Sequence, residues 1–139
     1  MEKFRRCRHS FLLLLIFFMS NESLTQHVFH YTETTGYNHG TAAVSFAMFQ
    51  SYQKPGVTWI NSSTSAPFDT CYSITSTGDT ALNFDVIIWS NTSGCNGLTA
   101  NQRAMFEGWV RAGGSCVGMH AVFDTYRHSS ANGSCNGNW

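Results

Sequence analysis

Apolar positions along this chain fall into short continuous runs and one helical stripe, and their succession predicts the architecture. "HVFHYT" (27–32) is a β-rich run of strand length, followed by the loop "ETTGYNHG". "TAAVSFAMFQSY" (41–52) is rich in Ala and Met, lacks Gly and Pro, and is stopped by Pro55 and Gly56, which predicts a helix. "VTWINS", from Val57, is β-branched and aromatic and predicts a second strand. Residues 62–80 are Ser, Thr, Asp and Pro with little periodicity, and read as a long loop or an irregular helix. "FDVIIWS" (84–90) is nearly continuous in apolar residues, as expected of a strand covered on both faces.

Thr99 and Gln102 then stand in capping-box spacing before Met105, Phe106, Trp109 and Val110, which recur at helical intervals as one buried stripe. Arg111 suits the negative end of the helix dipole, and Gly113 suits a left-handed terminus, so 99–112 is predicted helical. "SCVGMH" follows as another strand expected to be apolar on both sides, with Cys116 buried in it. Strand, helix, strand, strand, helix, strand is the order of an α/β domain with a mostly parallel sheet and flanking helices. Ligands of such folds sit beyond the carboxyl ends of the strands. His120 falls at such an end.

The N-terminus has a different character. Lys3, Arg5, Arg6 and Arg8 precede an apolar block of nine residues, Phe11 to Met19, and then a polar stretch, which is the layout of a secretory signal peptide over 1–25. A spanning helix needs about 20 apolar residues, so stable membrane insertion after cleavage is not expected. Ser23 and Thr25 are the best candidates for positions −3 and −1. The expected location is secreted, periplasmic or extracellular.

From Gln26 onward four basic residues face six acidic ones, a formal charge of −2. Phosphate binding needs clustered cations, so nucleic acid is not an expected partner. Cys71, Cys95, Cys116 and Cys135 remain after export, in no zinc-site spacing; disulfides are the default there, with three connectivities open. Asn21, Asn61, Asn91 and Asn132 each open an N-x-S/T sequon. No Gly-rich nucleotide-binding pattern occurs.

Several polar residues are placed to do chemistry. His120 suits proton transfer near neutrality or ligation of a divalent metal. Asp124, four residues on, suits orienting that imidazole, ligating the same ion, or capping a helix. His39 lies in "GYNHG" between the first strand and the first helix and should face the same sheet edge, as acid, base or metal ligand. Tyr37, in the same loop, either offers its ring to a bound ligand or staples the loop to the core. Ser90 and Thr92, ending the third long strand, either bond a ligand through their hydroxyls or form the turn. His30 alternates with Val28 inside a strand and reads as a buried, hydrogen-bonded histidine.

"GYNHGTA", "FDVIIWSNTSG", "LTANQRAMFEGWVRAGGSCVGMHAVFDT" and "YRHSS", taken in order from about His27, together resemble the ThuA-like family, named for trehalose utilisation. The resemblance implies a flavodoxin-like fold related to class I glutamine amidotransferases. It also implies a carbohydrate ligand and a role in sugar metabolism on 3-keto-glycosides. Where those relatives present a nucleophilic cysteine at a strand-to-helix elbow, this chain offers Gly118-Met119-His120-Ala121, an imidazole; Cys116 lies deeper in the strand. Family domains continue beyond this point, so 26–128 is expected to be an incomplete ThuA-like domain and 129–139 a polar tail where it is cut off, which leaves open whether the fragment is active or inactive. The alternative is a non-catalytic carbohydrate-binding module. Cofactors other than a divalent metal at His39 and His120 are not implied.

The leader reading has a direct test: exported material should begin near residue 26, and an intact Met1 in its mass spectrum would refute cleavage.

Overall fold

The computed structural model describes residues 25–95, 98–120, 122 and 125. β1 (Gln26–Tyr31), α1 (Ala42–Ser51), β2 (Val57–Ser62), a 3-10 turn (Ala66–Thr70), β3 (Tyr72–Ile74), β4 (Thr80–Leu82), β5 (Val86–Ser90), α2 (Ala100–Arg111) and β6 (Ser115–Met119) follow in order. Four strands form one sheet in the order β2-β1-β5-β6, every neighbouring pair parallel. This is a flavodoxin-like α/β arrangement. The reversal of strand order falls between β1 and β5, where doubly wound sheets form their crevice.

Strand alternation divides the sheet into two unlike faces. Phe29, Tyr31, Ile87 and Trp89 point to one side and join Phe68, Cys71, Phe84, Leu98 and Trp109 in the hydrophobic core. The rings of Phe68 and Tyr31 meet edge to face at 4.9 Å, as do those of Tyr31 and Trp89. α2 closes this side: Trp109 is fully buried, stacks on Phe106, and donates its indole N–H to the Phe84 carbonyl at 2.6 Å.

The opposite face carries His30 and Ser90 beneath α1. His30 is fully buried, with Nδ1 2.9 Å from Asn61 Oδ1 and Nε2 3.1 Å from Ser45 Oγ, and Ser90 donates to Ser45 at 3.0 Å. The expectation of a satisfied core histidine therefore holds, and the sequon side chain of Asn61 is engaged in the same network.

Local signals explain α2. Gln102 N–H donates to Thr99 Oγ1, and Thr99 N–H donates to Gln102 Oε1, completing the capping box. At the other end Gly113 N–H reaches Val110 O and Gly114 N–H reaches Trp109 O, the paired bonds of a Schellman ending, with Gly113 at φ 101. Gly114 is required for a different reason: a Cβ there would enter the Trp109 indole.

Several expectations are corrected. Val110 is not in the buried stripe but 44% exposed, because α2 packs through Trp109 and, partly buried, Met105 and Phe106. Residues 62–80 hold the 3-10 turn, in line with the irregular-helix alternative, but also most of an antiparallel β3–β4 hairpin rather than a long loop. β5 is covered on both faces as expected, but β6 is exposed along Ser115–Gly118, since it is the edge strand and α2 leans toward the 3-10 turn and β3. Cys116 is accordingly an exposed thiol. A fully paired disulfide framework is not formed either, as Cys71 and Cys116 are free. Burial pushes the Cys71 thiol up to about 11. Cys95 is disulfide-bonded. No helix among the described residues is long and apolar enough to cross a membrane.

Truncating Trp109 to Ala should destabilise the fold by about 3–5 kcal/mol. Val110→Lys should cost less than about 0.5 kcal/mol. Urea unfolding of the two variants measures both, and comparable losses would contradict the exposed position of Val110.

Candidate functional site

The loop leaving β1 and the loop leaving β5 are joined at the carboxyl edge. Thr35 and Gly36 both donate backbone N–H groups to the Ser93 carbonyl at 3.1 Å. Thr34 Oγ1 lies 2.8 Å from Ser93 Oγ, which in turn donates to the Tyr37 carbonyl at 3.1 Å. The approach is too close for side chains: a Cβ on Gly94, at φ 81, would meet the backbone of Gly36, and one on Gly36 would meet Ser93 and Gly94. The junction fixes where the rest of the first loop emerges.

From that junction Tyr37 and His39 are carried outward, and Asn38 Oδ1 accepts from Gly40 N–H at 2.8 Å to turn the chain toward α1. The His39 ring then meets His120 edge to face, with centroids 4.4 Å apart and planes at 89°. Tyr37 packs on the other side of His39 at 4.7 Å. Both imidazoles are solvent-accessible. His120 directly follows β6 and has φ 53, a left-handed conformation that costs a non-glycine residue of order 1 kcal/mol or more. Asn91, which directly follows β5, has φ 55, and its N–H reaches the Met119 carbonyl at 3.3 Å. The two neighbouring strands thus end in the same unusual turn, and one of these turns presents His120.

The convergence of His39 and His120, expected because both follow parallel strands, is present. Tyr37 is 73% exposed and touches His39, so it does not staple the loop to the core. Ser90 and Thr92 are corrected as surface ligand-binding residues, because both are buried and their hydroxyls are used internally. Ser90 donates to Ser45, and Thr92 Oγ1 lies 2.8 Å from Thr125 Oγ1. They tie β5 to α1 and to the chain after β6. Asp124 lies outside the described residues. Among the described residues no group of three or more His, Cys, Asp or Glu side chains gathers as a metal site. Ser93 was not singled out from the sequence: "SNTSG" reads only as a turn, and its role depends on a loop 56 residues away.

An exposed pair of imidazoles with an aromatic neighbour is able to exchange protons with a bound molecule and to offer it a ring face. Comparison with family models, with curated proteins and with solved structures finds no match to this chain.

Gly94→Ala should cost more than about 2 kcal/mol, because the left-handed backbone and a backbone clash act together. Gly40→Ala, also at positive φ but with open space around it, should cost only about 1 kcal/mol. Denaturant midpoints provide the comparison; equal losses would show that the loop junction yields freely.

Proposed function

We propose that this chain is an exported ThuA-like domain that engages carbohydrate at Tyr37, His39 and His120, and that its chemistry is proton transfer on an oxidised sugar such as a 3-keto-glycoside. The observation that carries the reading is the contact between His39 and His120 at the carboxyl edge of the sheet. A ring ketone acidifies the C–H beside it. A neutral imidazole is a competent base for that proton near pH 7, and a second, protonated imidazole is a competent acid for the developing enolate oxygen or a departing alkoxide. Asp124 would orient His120 in this scheme.

A second reading, a carbohydrate-binding module without turnover, is favoured by the exposure of Tyr37, which offers a platform for a sugar ring.

Calorimetric titration with 3-keto-glycosides and their unoxidised parents, alongside a turnover assay, tests both. Under the catalytic reading His120→Asn, chosen because asparagine tolerates the left-handed backbone, should keep the fold and lose about 100-fold or more in turnover. Binding that depends on Tyr37 without turnover would favour the module. Absence of both would refute the proposal.

A further inference from the structure

α1 is held to the sheet through a buried histidine that meets no counter-charge. On the sheet side His30 Nδ1 faces Asn61 Oδ1 of β2, and on the other its Nε2 faces Ser45 Oγ of α1. Phe46 and Phe49 of α1 complete the cover, with ring centroids 5.3 and 5.8 Å from the imidazole. Ser45 also accepts from Ser90 of β5 and donates to the Ala42 carbonyl. The imidazole therefore joins β1 and β2 to the helix directly, and Ser45 extends the link to β5. We propose that His30 is a proton-operated latch that keeps α1 docked while neutral and releases it on protonation.

The neutral ring suits this site. Asn61 presents an oxygen, so Nδ1 carries the hydrogen, and in the neutral ring Nε2 shares the single Ser45 hydroxyl hydrogen with the Ala42 carbonyl. A second proton would turn Nε2 into a donor toward Ser45, whose hydroxyl is then committed to Ala42. Every polar group would still have a partner, so what protonation adds is a charge out of contact with water. Among the described residues nothing nearby balances it: α1, β2 and β5 contain no ionisable side chain. On β1 the others are His27, at the far end of the strand against Asp85, and Tyr31, on the opposite face with its hydroxyl on Glu33. Burial accordingly lowers the pKa of His30, with the Asn61 hydrogen bond opposing in part.

Opening α1 is the least disruptive way to hydrate that charge. Phe46, Phe49 and Ser45, which contact the ring from outside the sheet, all belong to this helix, whereas β1 and Asn61 lie in the sheet. The same opening would wet the indole N–H of Trp59, a buried donor with no partner among the described residues that packs between Phe46 and Phe49. The sign follows from linkage. An opened His30 takes up its proton near its ordinary pKa of about 6.5, and the docked one only at lower pH, so docking is fully stable above that range. It weakens as pH falls toward the docked pKa. Because the loop bearing His39 feeds directly into α1, release would also separate His39 from His120. That consequence alone rests on the proposed carbohydrate site.

Amide hydrogen exchange on the full chain, corrected for intrinsic rates, tests the latch by comparing protection of residues 42–51 with that of α2 at pH about 7.5 and about 5. The ratio should fall by up to about tenfold per pH unit in the wild-type protein. It should stay constant in His30→Gln, which cannot titrate. An unchanged wild-type ratio, or the same fall in the variant, would overturn the latch. Should the variant not fold, the NMR titration of the wild-type His30 ring decides. Loss of α1 protection must track that ring's protonation, and a ring that titrates without any change in α1 refutes the proposal. Neither measurement contains a sugar, so failure of the carbohydrate reading and failure of the latch are separate results.

Discussion

Parallel pairing of β1 with both of its neighbours is the constraint on which this molecule depends. Because β1, β2, β5 and β6 all run one way, each connection must return across a face of the sheet, and each strand delivers its next residues to the same edge. The loop with Tyr37 and His39, the Ser93 turn and His120 belong to three different strands, yet they meet there. A single antiparallel strand among β1, β5 and β6 would send one of them to the far end.

The two faces of that sheet are stabilised by different means. The α2 face is a cluster of aromatic rings whose contribution comes from apolar area and edge-to-face contact. The α1 face has Phe46 and Phe49, but at its centre lies the hydrogen-bonded set His30, Asn61, Ser45 and Ser90. Such a set fixes one register of helix against sheet, since sliding α1 by a residue would take Ser45 away from both His30 Nε2 and Ser90.

The legible parts of the sequence were those with a local cause. The Thr99–Gln102 capping box, the glycine ending at Gly113, the two-sided run of β5 and the strand at Val57 need only a few neighbouring residues, and all are present. The convergence of His39 and His120 was legible at one remove, because parallel topology implies it. What escaped depends on distant partners. Val110 looked buried by spacing but lies beyond the reach of the face that Trp109 fills. "SCVGMH" has the composition of a central strand yet occupies an edge, which no feature of the run itself records. Ser90 and Thr92 are short polar residues at a strand end whether they face solvent or, as here, Ser45 and Thr125. The β3–β4 hairpin is too short and too rich in Ser and Thr to show an alternating pattern.

The pairing of β1 with β5 also bears on how the chain reaches this structure. β1, α1 and β2 form one unit from neighbouring residues, and β5, α2 and β6 form another, but the β1–β5 seam between the units joins residues 58 apart, as from His27 to Asp85. Loop-closure entropy must be met before that pairing yields any stabilisation, whereas the contacts within each half close shorter loops. Folding is therefore expected to proceed as two βαβ halves that form early and join late, with the central β1–β5 seam, the most buried part of the finished sheet, among the last to close.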